Sequence, residues 1–443
     1  MSDMRIPEHG IAGEQILSEM QAMRVEDADW RSGHTWSLVY HASDEHSAFL
    51  KEAYTALFSE NGLNPLAFPS LRRFEAEVVR MTASMLNGDA SVAGTMTSGG
   101  TESLLMAVKT YRDWGRATKR IERPNMVLPR TAHAAFGKAA HYFDVEPIWV
   151  EVDDDLRADV PAMADAVTSD TVLLVGSAPN YPHGMIDPIE DLGELAVKTG
   201  VGLHVDGCLG GFLLPWVERL EYPIAPFDFR VPGVTSMSAD IHKYGYAAKG
   251  ASTVLYRTAE LRRHQFHITT GWPGGIYASP SMAGTRPGGA IAAAWAALRV
   301  MGEDGYLAIA EEIMAAARRL IDGVASIDGV RVLGKPLVSV FAFESDSEDV
   351  DIFAVADALE VRGWHMDRQI EPSSLHVMVT SPSHGGVVDE FLADLEASVE
   401  EVRGNPAASQ QGQAAMYGMM TTLPDTGMID EVVLQLIDGL YTT

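Results

Sequence analysis

Short apolar runs alternate with amphipathic stretches between residues 125 and 257. Residues 171–176 (TVLLVG) form a continuous apolar run of the kind buried in a parallel sheet. Runs at 126–128, 147–152, 201–206 (VGLHVD), 234–238 and 252–256 read as further strands. The stretches 134–142, 160–167 and 188–199 read as helices, the last with proline at its start. Such alternation predicts an α/β domain with a mainly parallel sheet, whose ligands lie at the carboxyl ends of the strands.

The flanks read differently. Residues 15–23 and 44–58 carry apolar positions at helical spacing. Between them, residues 30–43 (WRSGHTWSLVYHAS) are aromatic, polar and irregular, and predict a packed N-terminal arm. The turn-rich link NGLNPLAFP precedes Ser70, the expected N-cap of a helix with Leu71, Phe74, Val78, Met81 and Met85 on one side. Residues 271–289 are rich in Gly, Pro and Ser and predict a long loop. A smaller α+β unit follows, with helices at 306–326, 349–362 and 387–402 and strands at 330–333, 337–343 and 375–380. After a polar linker at 404–414, an apolar helical tail is expected to dock on the body. The chain thus divides into a helical arm (1–69), a large domain (70–289) and a small C-terminal domain (290–443).

Composition narrows the function. The 443 residues are 47% apolar, and 61 acids against 33 bases leave a net charge of −28. That field disfavours nucleic acid and anionic membrane surfaces, but a local cationic pocket can still take a small anion. One cysteine, Cys208, excludes an intrachain disulfide and fits a reducing cytoplasm. Neither a transmembrane run nor a secretory signal is evident in the sequence.

Against that acidic background, Lys243 lies between His242 and Tyr244, and Lys249 follows six residues on. A lysine becomes a covalent catalyst when desolvation or a neighbouring cation keeps part of its amine neutral. Upstream, Gly99 and Gly100 open a helix through Thr101 and Glu102. A helix N-terminus presents unpaired N–H groups and a positive dipole end, which suits a phosphate. The turn is neither a P-loop nor a dinucleotide fingerprint. Asp206 ends the VGLHVD strand inside the apolar, tightly turned HVDGCLGGF, where a buried aspartate with a partner is expected. Pyridoxal 5'-phosphate needs a Schiff-base lysine, an acid for its pyridinium nitrogen, a phosphate nest and a flat side chain over its ring. Lys243, Asp206, the Ser98–Glu102 turn and His133 offer these four; no metal ion is implied.

The segments SGGTES, TAHAAFGKAAHYF, SDTVLLVGSAPN, HVDGCLGGF, DFRVPGVTSMSADIHKYGYAAKG and AGTRPGG together resemble the pyridoxal-phosphate-dependent sphingosine-1-phosphate lyases. The similarity runs from about Ser37 to the tail. The broader group II decarboxylase pattern shares only the Gly-Gly-Thr turn, the HVD strand and the His-Lys pair. The resemblance implies the fold type I architecture, with a large mainly parallel-sheet domain and a small α+β domain. It also implies a homodimer with the active site at the interface, and a soluble, bacterial-type member without the membrane span of eukaryotic relatives. Lys243 would hold the cofactor, Asp206 would pair with its ring nitrogen and His133 would stack on the ring. Ser98, Gly99, Gly100 and Thr101 would bind the phosphate with His242, and Thr285 would approach it from the second subunit. Lys249 and Tyr40 match positions near the reacting groups or substrate phosphate, and Tyr417 matches a tail tyrosine that folds over the site. Where the family has a histidine near the substrate phosphate, this chain has Asn64, which cannot carry positive charge.

The implied reaction is retro-aldol cleavage of C2–C3 in a phosphorylated long-chain base, giving a fatty aldehyde and phosphoethanolamine. Lys249, Tyr40 and the freed Lys243 all remain open as the base. The alternative is an amino-acid decarboxylase on the same fold, which needs a carboxylate-binding arginine, for which Arg286 is the candidate.

Overall fold

The computed structural model describes residues 5–405, 407–422 and 426–441. Helix α1 (Gly13–Met23) buries none of its residues, and α2 (Asp44–Thr55) starts where Ser43 accepts the N–H of His46. Helix α3 (Pro69–Met85) begins one residue before the expected cap: Phe68 is the N-cap and Ser70 lies inside the first turn. Proline explains the shift, since its fixed φ and missing N–H suit the first helical position. The apolar face of α3 is as expected, with Leu71 and Val78 buried and Phe74, Met81 and Met85 packed against the core. Residues 30–43 do form a packed arm: Trp36 is buried and stacks on Trp364 at 5.7 Å, and Thr35 bridges to His365.

The main sheet has seven strands, β1 (Ala93–Thr97), β2 (Asn125–Pro129), β3 (Glu146–Val150), β4 (Thr171–Ser177), β5 (Gly202–Asp206), β6 (Val234–Ala239) and β7 (Ser252–Tyr256). Their spatial order is β1-β7-β6-β5-β4-β2-β3, and β7 alone runs against the others. Strand β1 (AGTMT) is unforeseen because a short Gly/Thr segment has no apolar run to mark it. Helices α4 (Gly100–Trp114), α5 (Ala135–Phe143), α6 (Val160–Ala166), α7 (Ile189–Thr199), α8 (Leu214–Arg219) and α9 (Ala259–Arg262) are interleaved with the strands. Behind β4, the buried Asp187 accepts N–H bonds from Ala158 (2.8 Å) and Ser177 (2.7 Å), one on each carboxylate oxygen. Burial nevertheless pushes its pKa up to about 7. An amide there turns an NH₂ toward a buried N–H, so Asp187→Asn is expected to cost about 1–3 kcal/mol in a chemical-denaturation experiment.

The expected loop at 271–289 is in part a hairpin, β8 (His267–Trp272) with β9 (Gly275–Ser279). Gly274 and Gly275 supply its turn and the start of β9, while Gly288 and Gly289 open the next helix, so composition alone misreads it. Ile268, Trp272 and Ile276 on the hairpin are exposed. Helix α10 (Gly288–Ala325) is broken at Gly302, whose φ of 59° and ψ of 178° are not helical. Its first half buries Ile291, Ala294 and Ala297; its second half buries Ile313, Met314 and Leu320.

A four-stranded antiparallel sheet follows, from β10 (Val330–Val332), β11 (Val340–Ser345), β12 (Asp367–Ile370) and β13 (Ser373–Met378), in the order β10-β11-β13-β12. Helices α11 (Ile352–Val361), capped by Asp351, and α12 (Val388–Val402) complete this unit. In the tail, α13 (Gly412–Thr422) docks on α11, burying Ala414. Helix α14 (Thr426–Tyr441) departs from the expectation, since Val432, Leu434, Leu436, Ile437 and Leu440 are exposed. An apolar pattern marks a face for burial without saying what covers it.

Candidate active site

The carboxyl ends of β1, β5 and β6 bring together segments far apart in sequence. Asp206 is the last residue of β5 and is 7% exposed. Its Oδ1 accepts the N–H of Cys208 at 3.0 Å and the hydroxyl of Ser238 at 3.2 Å. Burial alone would raise its pKa, but the charge interaction with His133 and the bonds from Cys208 hold it below the ordinary carboxylate value. It is thus an anion aimed by two neighbours, as a pyridinium partner must be. His133 precedes α5, and its Nδ1 accepts the N–H of Ala135 at 3.1 Å, which fixes the ring. Tyr181 meets that ring edge-on at 6.3 Å, and both line a cavity of about 610 Å³ with Arg130, Trp149 and Pro182.

After β6 the chain turns through Asp240, Ile241 and His242 to Lys243, whose side chain is 24% exposed. Nζ of Lys243 lies 3.1 Å from Oδ2 of Asp240. Burial would lower the lysine pKa, but Asp240, with Cys208 and Asp206, outweighs it and holds the amine above its ordinary range. The effect of the two cations on each other falls instead on Lys249, whose pKa is lowered by burial and by the charge of Lys243. His242 Nδ1 accepts the N–H of Ala251 at 3.2 Å, and burial pushes its pKa down to about 4, so it is a neutral imidazole with Nε2–H left to donate.

Helix α4 starts beside this turn, with Gly99 as its N-cap. A Cβ on Gly100 would lie 2.7 Å from Asp240 Oδ2 and 2.9 Å from Cys208 Sγ, so only glycine fits. The first-turn N–H groups have no partner within the helix, an arrangement that suits an anion. Ser98 donates its N–H to Glu102 Oε2 at 2.6 Å, while Oε1 accepts the N–H of Met282 at 2.7 Å. Glu102 therefore ties the start of α4 to the loop carrying Thr285. Ser98 and Thr101 are exposed at the mouth.

Tyr40 closes another side. Its hydroxyl lies 2.8 Å from Met378 Sδ, and its ring meets that of Tyr244 edge-on at 5.0 Å. Burial, then Tyr244 and Asp240, raise its pKa well above the ordinary tyrosine value, so it is a phenol. Lys249 Nζ sits 5.0 Å over the Tyr40 ring and donates to the carbonyls of Leu38 (3.3 Å) and His242 (3.4 Å). The Lys249 side chain is exposed along its length, but its head group is packed, and that desolvation with the charge of Lys243 lowers its pKa.

The other named residues lie elsewhere in the chain. Asn64 is exposed, its Oδ1 capping the N–H groups of Leu66 (3.0 Å) and Ala67 (3.3 Å). Thr285 is exposed on its loop. Tyr417 packs against Phe353 at 5.4 Å, under the Arg368 guanidinium. Arg286 is spent on Glu75, at 2.6 Å, which leaves it no role as a carboxylate clamp. Sequence reasoning missed Asp240, Ser238 and Tyr181; Asp240 alone carried a signal, an acid three residues before the lysine in a turn.

The Pyridoxal-dependent decarboxylase conserved domain matches residues 2–345. A sphingosine-1-phosphate lyase of Arabidopsis thaliana is 45% identical over 444 residues, covering 98% of this chain and 81% of that protein. The chain belongs to the sphingosine-1-phosphate lyase family. The Dictyostelium discoideum lyase of the same name is 44% identical over 440 residues, with 99% of this chain and 82% of that protein covered. The solved Burkholderia pseudomallei sphingosine-1-phosphate lyase is 44% identical with a TM-score of 0.87, over 95% of this chain and 97% of that one. A Lactobacillus brevis glutamate decarboxylase, 19% identical with a TM-score of 0.79 over 91% and 95% of the two chains, shares the fold. Fold type I and pyridoxal phosphate follow from this membership. The residues present fit the cofactor: an ionised acid at the end of β5, a lysine on the adjacent turn, and a glycine-only approach at the start of α4.

Proposed function

We propose that this chain is a carbon–carbon lyase that cleaves C2–C3 of sphingosine-1-phosphate, or a closely related phosphorylated long-chain base, to a fatty aldehyde and phosphoethanolamine. The observation carrying this reading is a second lysine, Lys249, held over the Tyr40 ring and bonded to the His242 carbonyl next to Lys243, while Arg286 is locked onto Glu75 and unavailable to an amino-acid carboxylate. When bound, pyridoxal phosphate supplies an electron sink for the pair released by the breaking bond. Lys243 would hold it, Asp206 would face its ring nitrogen, His133 would cover the ring, and Ser98, Gly99, Gly100, Thr101 and His242 would take its phosphate.

Among the three candidate bases, Lys249 has the lowered pKa, Tyr40 stays a phenol, and Lys243 is held as an ammonium. Lys249 therefore takes the C3-hydroxyl proton, and Tyr40 donates a hydrogen bond. A base works in its neutral form, so turnover rises with pH and levels off below the ordinary lysine value of about 10.4. Lys249→Arg keeps the charge but not the base: kcat should fall about 10²–10⁴-fold with little change in KM, and the alkaline limb should vanish. A large KM rise with kcat intact would instead make Lys249 a phosphate anchor.

A second copy of the chain completes the site. The exposed apolar residues of α1, the β8–β9 hairpin and α14 support a homodimer. The Asn64 turn and the Thr285 loop are tied together, since Gly62 donates its N–H to the Arg286 carbonyl at 2.8 Å. If Thr285 reaches the site of a second copy, Asn64 goes with it. Asn64→His should then lower KM for the phosphorylated substrate, and an unchanged or higher KM would remove Asn64 from the phosphate site. In the same reading residues 1–69 are an arm, 70–289 carry the cofactor, and 290–443 close over it, with Tyr417 in the closing tail. Among the described residues no helix is long and apolar enough to cross a membrane, and with the single buried Cys208 this supports a cytoplasmic place.

The deciding experiment incubates the cofactor-loaded protein with sphingosine-1-phosphate and detects both products. Carbon dioxide from an amino acid, with no aldehyde from the phosphorylated base, overturns the reading.

A further inference from the structure

Asp240 is 1% exposed, and neither carboxylate oxygen has a hydrogen-bond partner among the described residues. Buried carboxylates are nearly always hydrogen-bonded or paired, because desolvation is otherwise uncompensated. The compensation here is one cation, Lys243, and the dipole of the neutral His242 ring. Lys243 Nζ lies 3.1 Å from Oδ2, and His242 Nε2 lies 3.6 Å from the same oxygen. The start of α4 presses against that oxygen through Gly100, adding the positive end of a 15-residue helix. The groups facing Asp240 come from four places. They are Lys243, His242 and Lys249 on its own turn, Cys208 just after β5, Tyr40 from the arm, and the uncharged backbone of α4. Lys243 is the cation closest to it.

Resting on the reading of Lys243 as the cofactor lysine, we propose that Asp240 is its positioning residue, anchoring Nζ beside the start of helix α4 and holding that nitrogen as an ammonium. Two consequences follow for the chain. An amine attacks a carbonyl only after it gives up a proton, and the oxygen at 3.1 Å is the nearest acceptor for it. Whenever the substrate amine displaces Lys243, the freed nitrogen returns to the same carboxylate and is reprotonated there. Lys243 is then a proton donor in turnover, which leaves the C3-hydroxyl proton to Lys249.

The test needs neither substrate nor cofactor turnover. Cofactor-free protein is labelled with trace acetic anhydride between pH 7 and 10, and acetylation at Lys243 and Lys249 is quantified separately by mass spectrometry. Only the neutral amine reacts, so wild-type Lys243 should label more slowly than Lys249 throughout. Asp240→Asn should move the Lys243 profile down by about 1–3 pH units, which speeds its labelling at pH 9 by about 10-fold or more. Asp240→Glu, which keeps the charge, should restore most of the difference. A merely structural Asp240 would lower the melting temperature of the Asn variant without moving the Lys243 profile, and that result overturns the proposal. If Asp240→Asn does not fold, the wild-type comparison decides: Lys243 labelling as fast as Lys249 rejects it. Borohydride trapping of cofactor on a residue other than Lys243 would instead reject the underlying assignment.

Discussion

Lys243→Ala is expected to abolish the visible absorbance of lysine-bound cofactor, to leave nothing for borohydride to trap, and to lower turnover by at least about 10³-fold. The geometry makes the loss hard to rescue. Lys249 is the nearest alternative, but its head group is packed over the Tyr40 ring and bonded to the carbonyls of Leu38 and His242. Of the two lysines, Lys243 is the one paired with Asp240, the carboxylate that the start of α4 abuts. The turn is still held by backbone bonds such as His242 N–H to the Ala251 carbonyl, but Asp240 loses its closest cation, so the variant is also expected to melt at a lower temperature. A variant that keeps the band and traps cofactor elsewhere would show that the lysine has been misassigned.

Asp206→Asn is the second large effect. The amide oxygen can still accept from Cys208 and Ser238, so the end of β5 should keep its shape. The negative charge disappears, and with it the means of keeping the cofactor's ring nitrogen protonated. Turnover should drop about 10²–10³-fold, on the scale of losing one preorganised electrostatic contact. Cofactor should also be retained less firmly, read as faster loss of the bound chromophore on dialysis. Near-normal kinetics would take Asp206 out of this role.

The parallel sheet was legible because β4 and β5 are apolar runs between amphipathic helices, and a buried parallel strand has no other sequence signature. Strand β1 was not legible, since its five residues gain their strand character only by pairing with β7, about 160 residues on in sequence. Lys243, Asp206 and the glycine turn stood out as candidates because each sits at a strand end or helix start that its own neighbours announce, and the fold does bring those elements together. Asp240 was harder to read. Its importance lies in what it lacks, hydrogen bonds to either oxygen, and only three-dimensional packing shows that. Asn64 drew notice in the sequence, but its work as a turn cap was not legible, because that depends on the N–H groups of Leu66 and Ala67 bending back to it.

The sheet order also sets a timetable for synthesis. Strand β7 lies between β1 and β6, and the buried hydroxyls of Ser103 and Ser252, 2.8 Å apart, join α4 to it. The glycine turn of α4 emerges from the ribosome long before the lysine, yet the two cannot be set side by side until β7 has been inserted. A nascent chain released before residue 252 should therefore carry Asp206, Lys243 and the glycine turn but capture no pyridoxal phosphate.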